Sequence, residues 1–220
     1  IIGMALIAPI IVYFNYNAQL RQAALETYYQ NFANIIKAGF DLNATSTTEP
    51  LTFPMWGYGW VMLITNNHIA LLTIQFAIAF FCIWYFIRTI EVNNILPTPY
   101  IRLFKIILLV SIPWYAFHSV RWPYSISSSL LVFALASLYH SIHKNEWFSL
   151  FLSALSFGLL LHFRSDYFLM PIGLIGIVLW TQFNIKNIKK MFLWILILYS
   201  FLIPWAFFTK KVCGQYLITS

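Results

Sequence analysis

Long apolar runs separated by short polar segments dominate the chain. A helix that crosses a bilayer needs about 20 consecutive apolar residues, with a usual range of about 17–25, and about seven runs approach that length. They are Ile1–Phe14, His68–Ile87, Leu103–Phe117, Ser127–Ser141, Trp147–Phe163, Phe168–Phe183 and Met191–Phe208. The pattern therefore predicts an all-α polytopic membrane protein with about seven transmembrane helices.

The longest segment between two of these runs, Asn15–Asn67, is predicted to be a loop on the outer side of the membrane. Within it, apolar residues recur with the period of a helix and polar residues fall on the opposite face. The apolar stripe holds Leu25, Tyr28, Tyr29, Phe32 and Ile36, and the polar face holds Glu26, Gln30, Asn34 and Lys37. Gly39 follows as a stop signal. These features predict an amphipathic helix lying in the outer interface.

A second apolar stretch in this loop, Pro54–Thr65, is too short to cross the membrane alone. We interpret it as an interfacial or re-entrant helix that leads into the second span. The residues 209–220 are predicted to begin a later outer loop. The chain begins inside an apolar run and stops in a polar segment, so we expect residues 1–220 to be a single transmembrane domain from a longer protein.

The composition supports a lipid environment. Hydrophobic residues make up 61% of the chain and charged residues 9%, whereas a soluble domain carries about 25% charged residues. The net charge of +7 does not indicate nucleic-acid binding, because the basic residues form no stripe or cluster on a soluble face. Cys82 lies in an apolar run and Cys213 in the final loop, which predicts a packed thiol and a loop thiol rather than a disulfide.

The basic residues instead indicate orientation. Three short loops are assigned to the cytoplasm by their lysine and arginine content. These loops carry Arg88, Arg102 and Lys105, then Lys144, and then Lys186, Lys189 and Lys190. The outer side then holds the long loop, a short loop at His118–Ser125, a turn at Arg164–Asp166 and the final tail.

Ionisable groups near the membrane are costly and often functional. Glu26 begins the amphipathic helix, where a carboxylate complements the helix dipole or acts as a general base on an acceptor hydroxyl. Arg164 and Asp166 form either an ion pair that caps the next span or a site where the guanidinium binds an anionic phosphate. The same two interpretations apply to Arg121.

No established soluble-enzyme motif is present. The histidines near the predicted outer boundary lack metal-ligand spacing, and we expect them to be packing or hydrogen-bonding groups. They are His68, His118 and His162. The sequence contains no P-loop, GxSxG, HExxH or paired CxxC, so soluble nucleotide chemistry has no support.

The order of the elements gives a further indication. A span and a long outer loop with an aromatic helix precede a Pro-aromatic-Gly re-entry that starts at Phe53-Pro54. A helix ending in Pro113, a helix pair turning on Phe163-Arg164-Ser165-Asp166 and a last span ending in Pro204-Trp205 before Gly214 follow. This layout resembles the GT-C membrane glycosyltransferases, in particular bacterial relatives of protein mannosyltransferases and aminoarabinose transferases. The resemblance covers essentially the whole chain, as the N-terminal half of such an enzyme.

The resemblance implies an enzyme of the bacterial cytoplasmic membrane with an outward-facing active site. It would move a sugar from a polyprenyl-phosphate donor to a lipid, polysaccharide or protein acceptor. Tyr29, Ala33 and Gly39 match the family's first-loop pattern, which places Leu25 at the usual catalytic aspartate and Glu26 at its acidic neighbour. Glu26 is therefore the implied base, with Asp41 as the second choice.

The resemblance also implies where the donor binds and whether a metal takes part. It assigns Arg164, Arg121, Asp166 and Tyr29 to the donor and its lipid phosphate. The family's second outer loop commonly carries another acid, whereas Tyr124-Ser125-Ile126-Ser127-Ser128 has none. A divalent metal is therefore not supported, and no other cofactor is indicated.

Two other classes remain open. A transporter or flippase of lipid-linked saccharides would also place charges at helix ends, although no inverted repeat is evident. A non-catalytic membrane scaffold of the same fold is the other possibility, because Leu25 replaces the usual catalytic aspartate.

Overall fold

A computed structural model describes residues 33–39, 56–64, 68–111, 114, 118 and 123–213. Every regular element in this described part is helical, which confirms the predicted all-α class. After the helical residues 33–37, the helices are α1 (Trp56–Ile64), α2 (His68–Val92), α3 (Thr98–Val110), α4 (Pro123–Lys144), α5 (Trp147–Phe163), α6 (Met170–Thr181), α7 (Ile185–Ser200) and α8 (Ile203–Cys213). A 3₁₀ turn, Ser165–Tyr167, lies between α5 and α6.

Three helical stretches in the described part are long and apolar enough to cross a membrane. They are Ile69–Val92, Tyr124–Lys144 and Ile185–Phe207, with 24, 21 and 23 residues. Helices α5 and α6 are apolar but shorter, with 17 and 12 residues. The predicted first span, Ile1–Phe14, lies outside the described residues. Three spans are therefore supported by length and composition, and the predicted total of about seven stays a prediction.

Large apolar side chains on the surface agree with a lipid environment. Trp180 is 91% exposed and Phe183 76%. A soluble protein rarely exposes extended apolar patches, because they cost free energy in water. In a bilayer the same side chains contact acyl chains without that cost.

Helix α3 is shorter than the sequence predicts. We expected a span over Leu103–Phe117, but α3 ends at Val110 and Ser111 has extended backbone angles (φ −75°, ψ 93°). Its 13 residues cover about 20 Å, whereas the hydrocarbon core is about 30 Å thick. Pro113 explains the early end, because proline has no N–H to continue the helical hydrogen bonds.

The last predicted span also differs from its prediction. We expected one helix over Met191–Phe208, but the chain forms α7 and α8 with a break at Phe201 and Leu202. Pro204 lies in the first turn of α8, where its missing N–H leaves a carbonyl of α7 without a helical donor. Helix α8 continues to Cys213, so this cysteine ends a helix and does not lie in a loop.

Left-handed residues end three of the helical segments. Asn94 (φ 51°) follows α2, Asn145 (φ 57°) follows α4, and Gly39 (φ 70°) follows the helical residues 33–37. After α4, the Glu146 N–H donates to the Ser141 carbonyl at 3.1 Å, which is the six-to-one bond of a helix C-cap. The predicted stop at Gly39 is confirmed.

The chain divides into two compact units. The first comprises Ile1–Thr48 and Tyr58–Ser129, and the second comprises Glu49–Gly57 and Leu130–Ser220. In the first unit α2 and α3 pack antiparallel around Ile87, Ile90 and Ile101. Cys82 is buried on α2, as predicted.

The second unit packs the part of α4 from Leu130 onward with α5, α6 and α7. Its core is formed by Ala134, Leu138, Leu150, Ala154, Phe157, Leu160, Leu161, Met191, Trp194, Leu198 and Leu202. The Phe157 and Trp194 rings meet edge to face at 5.3 Å. The Trp194 indole donates to the Ser153 hydroxyl at 3.0 Å, and that hydroxyl donates to the Ala134 carbonyl at 2.8 Å. These bonds join α4, α5 and α7 inside an otherwise apolar core.

Candidate functional site

The end of α5 forms a sharp turn around Arg164. The Arg164 N–H still donates to the Leu160 carbonyl at 2.9 Å, but the residue itself is extended (φ −153°, ψ 114°). Arg164 is therefore the C-cap of α5, and the 3₁₀ turn Ser165–Tyr167 begins directly after it. A cation at this position complements the negative end of the helix dipole.

The Arg164 guanidinium forms an ion pair with the Asp166 carboxylate. The Arg164 side chain is 12% exposed, whereas the Asp166 side chain is 56% exposed. The predicted ion pair is thus confirmed. Asp166 does not cap the next helix, however, because the N-cap of α6 is Leu169 and that cap receives no side-chain hydrogen bond.

The His162 side chain links the end of α5 to the break between α7 and α8. Its Nε2 lies 2.7 Å from the Phe201 carbonyl, and since a carbonyl only accepts, Nε2 carries the proton and donates. Phe201 lies in the break between α7 and α8, where the backbone needs a partner outside the helix. The prediction that His162 is a hydrogen-bonding group is confirmed.

Close packing holds α5 against the same break. A Cβ added to Gly158 would lie 2.6 Å from the Phe201 ring, so only glycine permits this approach. The Tyr199 hydroxyl donates to the Phe168 carbonyl at 2.8 Å, just beyond the turn. The Arg164 turn is therefore fixed on both of its flanks.

The Arg164 turn has the chemistry to bind an anionic group. A guanidinium presents a planar fork of donors that matches a carboxylate or a phosphate equally well. Because Asp166 is more than half exposed, a phosphate oxygen from outside can take the place of its carboxylate while Arg164 keeps an anionic partner. The turn is thus suited to an anionic group that arrives from outside the protein.

The structure brings together two of the predicted site residues, Arg164 and Asp166. The other four, Glu26, Tyr29, Asp41 and Arg121, lie outside the described residues. Their roles stay predictions.

A buried lysine at the opposite end of the second unit was not predicted. The sequence predicts Lys190 in a cytoplasmic loop, but the residue lies within α7 and is fully buried. Its Nζ donates to the Ser141 carbonyl at 2.7 Å and lies 5.6 Å from the Trp147 ring centroid. Lysine at the C-terminal end of a helix satisfies an orphan carbonyl and opposes the dipole.

The helical period of α7 could have revealed this burial. Its buried residues Asn187, Met191, Trp194 and Leu198 recur on one face, and Lys190 lies on that same face. The number of lysines in a segment carries no information on this period.

A buried polar network lies in the first unit. The Tyr58 hydroxyl donates to Gln75 Oε1 at 3.0 Å, and Gln75 Nε2 donates to the His118 carbonyl at 3.3 Å. The His118 ring Nδ1 lies 2.7 Å from the Ser125 hydroxyl. Burial lowers the pKa of His118 to about 4, so the ring is neutral at pH 7. His118 is a hydrogen-bonding group, as predicted.

Among the residues that the structure describes, no three His, Cys, Asp or Glu side chains are grouped to hold a metal ion. Comparison of the chain with protein-family models, curated proteins and solved structures gives no match.

Proposed function

We propose that the chain is part of a membrane glycosyltransferase that moves a sugar from a polyprenyl-phosphate donor to an acceptor on the outer face of the membrane. The observation that carries the proposal is the Arg164 turn. A mostly buried arginine ends α5 and pairs with an exposed carboxylate, and His162, two residues before it, bonds to the Phe201 carbonyl. A lipid phosphate needs a cation at this kind of position, next to the bilayer.

The proposed reaction is a single displacement at the anomeric carbon. Glu26 takes the proton from an acceptor hydroxyl, and the acceptor oxygen forms the new bond to the sugar. The bond between the anomeric carbon and the phosphate oxygen breaks, and the electron pair leaves with the lipid phosphate. Arg164 stabilises the charge that develops on this phosphate. No nucleotide is needed, because the lipid phosphate is itself the leaving group.

Transfer of radiolabelled sugar tests this proposal. Membranes containing the full-length protein would be supplied with polyprenyl-phosphate donors, and the Glu26→Gln and Asp41→Asn variants would be assayed in parallel. We expect Glu26→Gln to lower transfer by at least about 100-fold, in the range of general-base loss, and Asp41→Asn to retain it. A full-length protein that binds the carrier but transfers no sugar from any donor would refute the enzyme proposal.

One observation favours a transporter as the second candidate. The stretch Ile185–Phe207 is interrupted at Phe201 and Leu202. Transporters often use such discontinuous helices at their substrate sites. A transporter would move lipid-linked saccharide across the bilayer without forming a new glycosidic bond, and the transfer assay separates the two.

A further inference from the structure

Helices α2 and α3 of the first unit enclose an open groove of about 300 Å³. This volume is at the lower end of the range for small-molecule sites, about 300–1,000 Å³. Most of the groove wall is apolar, and charged residues lie at one end only. The groove is lined by Phe80, Ile83, Trp84, Ile87, Arg88, Glu91, Lys105, Leu108, Leu109 and Trp114.

The charged end of the groove carries two cations and one anion. The Lys105 Nζ lies 2.7 Å from Glu91 Oε1, and the Arg88 guanidinium lies 3.9 Å from Glu91 Oε2. The arrangement therefore has a net charge of one positive. Arg88 is 63% exposed and Lys105 47%, so both present further N–H donors to the groove entrance.

Aromatic rings close the opposite end. The Trp114 ring meets the Phe80 ring edge to face at 5.0 Å and the Phe76 ring at 6.4 Å. From Glu91 back to Phe80 the groove follows α2 for about 16 Å, at 1.5 Å per residue. Half of the hydrocarbon core is about 15 Å. The groove therefore has the length of one acyl chain in one leaflet.

We propose that this groove binds an anionic phospholipid, with its phosphate between Arg88 and Lys105 and one acyl chain along α2 to Trp114. The charged end lies at the predicted cytoplasmic side, where the leaflet is rich in anionic lipids and basic pockets between membrane helices bind their headgroups. A lipid phosphate with one negative charge neutralises the net positive charge at the groove entrance. This site does not depend on sugar transfer.

A second groove on the same helix pair provides an internal control. It encloses about 280 Å³ and is lined by Phe86, Ile87, Ile90, Leu96, Tyr100, Ile101, Leu103, Phe104 and Ile107. Its size matches that of the first groove, but none of its lining residues is charged. The second groove can make the same apolar contacts with an acyl chain, but it has no charged side chain to bind a phosphate.

Native mass spectrometry of the full-length protein in detergent tests the proposal. The protein would be titrated with phosphatidylglycerol and with phosphatidylcholine carrying the same acyl chains. We expect at least tenfold tighter binding of phosphatidylglycerol. The Arg88→Gln/Lys105→Gln double variant should abolish this preference, whereas Arg102→Gln, an exposed cation of α3 outside the groove, should keep it.

A second pair of variants tests the acyl-chain part of the site. Leu109→Trp fills the charged groove, and Ile107→Trp fills the uncharged one; both residues are exposed, so neither substitution disturbs a core. We expect Leu109→Trp to weaken phosphatidylglycerol binding at least tenfold and Ile107→Trp to leave it unchanged. Equal binding of the two lipids, retained preference in the double variant, or displacement of phosphatidylglycerol by equimolar polyprenyl phosphate would each overturn the proposal.

Discussion

The basic residues at the two ends of the second unit differ in how far they and their partners are buried. At one end Lys190 is fully buried, and its ammonium is held by the Ser141 carbonyl above the Trp147 ring. At the other end Arg164 keeps 12% of its side-chain surface exposed, and its partner Asp166 is 56% exposed. Lys190 is covered on all sides by the protein, whereas the carboxylate that pairs with Arg164 is open to solvent. Of the two charges, Arg164 is therefore the better candidate for a ligand site, because its partner is accessible.

Reversing the charge at the buried end should have the largest effect. Lys190→Glu places a carboxylate beside the Ser141 carbonyl and at the negative end of the α4 dipole. We expect it to lower the free energy of unfolding by about 3–5 kcal/mol, the usual cost of an uncompensated buried charge. Unfolding in detergent with increasing SDS would measure the change.

Lys189→Glu is the matched control, because it makes the same charge change at the exposed neighbouring residue. We expect less than about 0.5 kcal/mol there. Equal losses in the two variants would mean that Lys190 does not hold α4 and α7 together.

His118 extends the comparison to the first unit, as a second group held inside the protein. The folded protein keeps the ring neutral down to about pH 4, whereas the unfolded chain protonates it near pH 6.5. The His118 contribution to the free energy of unfolding is therefore complete above about pH 6.5 and is lost as the pH drops towards 4, by about 3 kcal/mol. Unfolding between pH 4 and 8 would measure this slope.

The His118→Asn variant should reduce that slope and leave the share of another buried histidine, His162. His143→Gln, which changes an exposed histidine, should keep the whole slope. A slope that is the same in the wild type and in His118→Asn would show that His118 does not contribute to it.

Substitution of Gly158 tests the close packing of α5 against Phe201 near the Arg164 turn. Gly158→Ala drives a methyl group into the Phe201 ring, at 2.6 Å before any adjustment, and should cost about 1–3 kcal/mol. Gly176→Ala on α6 meets no atom within 4 Å and should be neutral or slightly stabilising because alanine favours helix. Equal unfolding free energies for the two variants would show that the contact between α5 and Phe201 is loose.

The smallest expected effect concerns the C-cap of α4 at the Lys190 end. Asn145 has φ 57°, a conformation that asparagine tolerates better than alanine. Asn145→Ala should lower the free energy of unfolding by about 1 kcal/mol, and Asn145→Gly should restore it. A loss with glycine as large as that with alanine would instead assign the effect to the asparagine side chain.

The sequence predicts the helices well where an apolar run is uninterrupted. The bounds of α5 match the prediction, and α2 and α4 extend beyond the predicted runs because polar residues at helix ends continue the backbone hydrogen bonds. The helices near Pro113 and Pro204 differ from their predictions. In both cases hydropathy continues across a proline, which has no N–H to donate a helical hydrogen bond.

The candidate site was only partly predictable for a different reason. Arg164 and Asp166 are two residues apart, so local sequence was enough to suggest their ion pair. The contact between His162 and Phe201 joins residues 39 positions apart, and it depends on a helix break that the apolar pattern conceals. The burial of Lys190 depends likewise on which face of α7 meets α4, and total charge counts do not contain that information.

The dissociation constant of polyprenyl phosphate tests the central claim, that the Arg164 turn binds a lipid phosphate. It would be measured for the full-length protein and for its Arg164→Ala and Asp166→Asn variants. Arg164→Ala should weaken binding at least tenfold, about 1.4 kcal/mol, because the phosphate loses its guanidinium. Asp166→Asn should keep or tighten binding, because it removes the carboxylate that the phosphate displaces. Unchanged binding in Arg164→Ala would contradict the account.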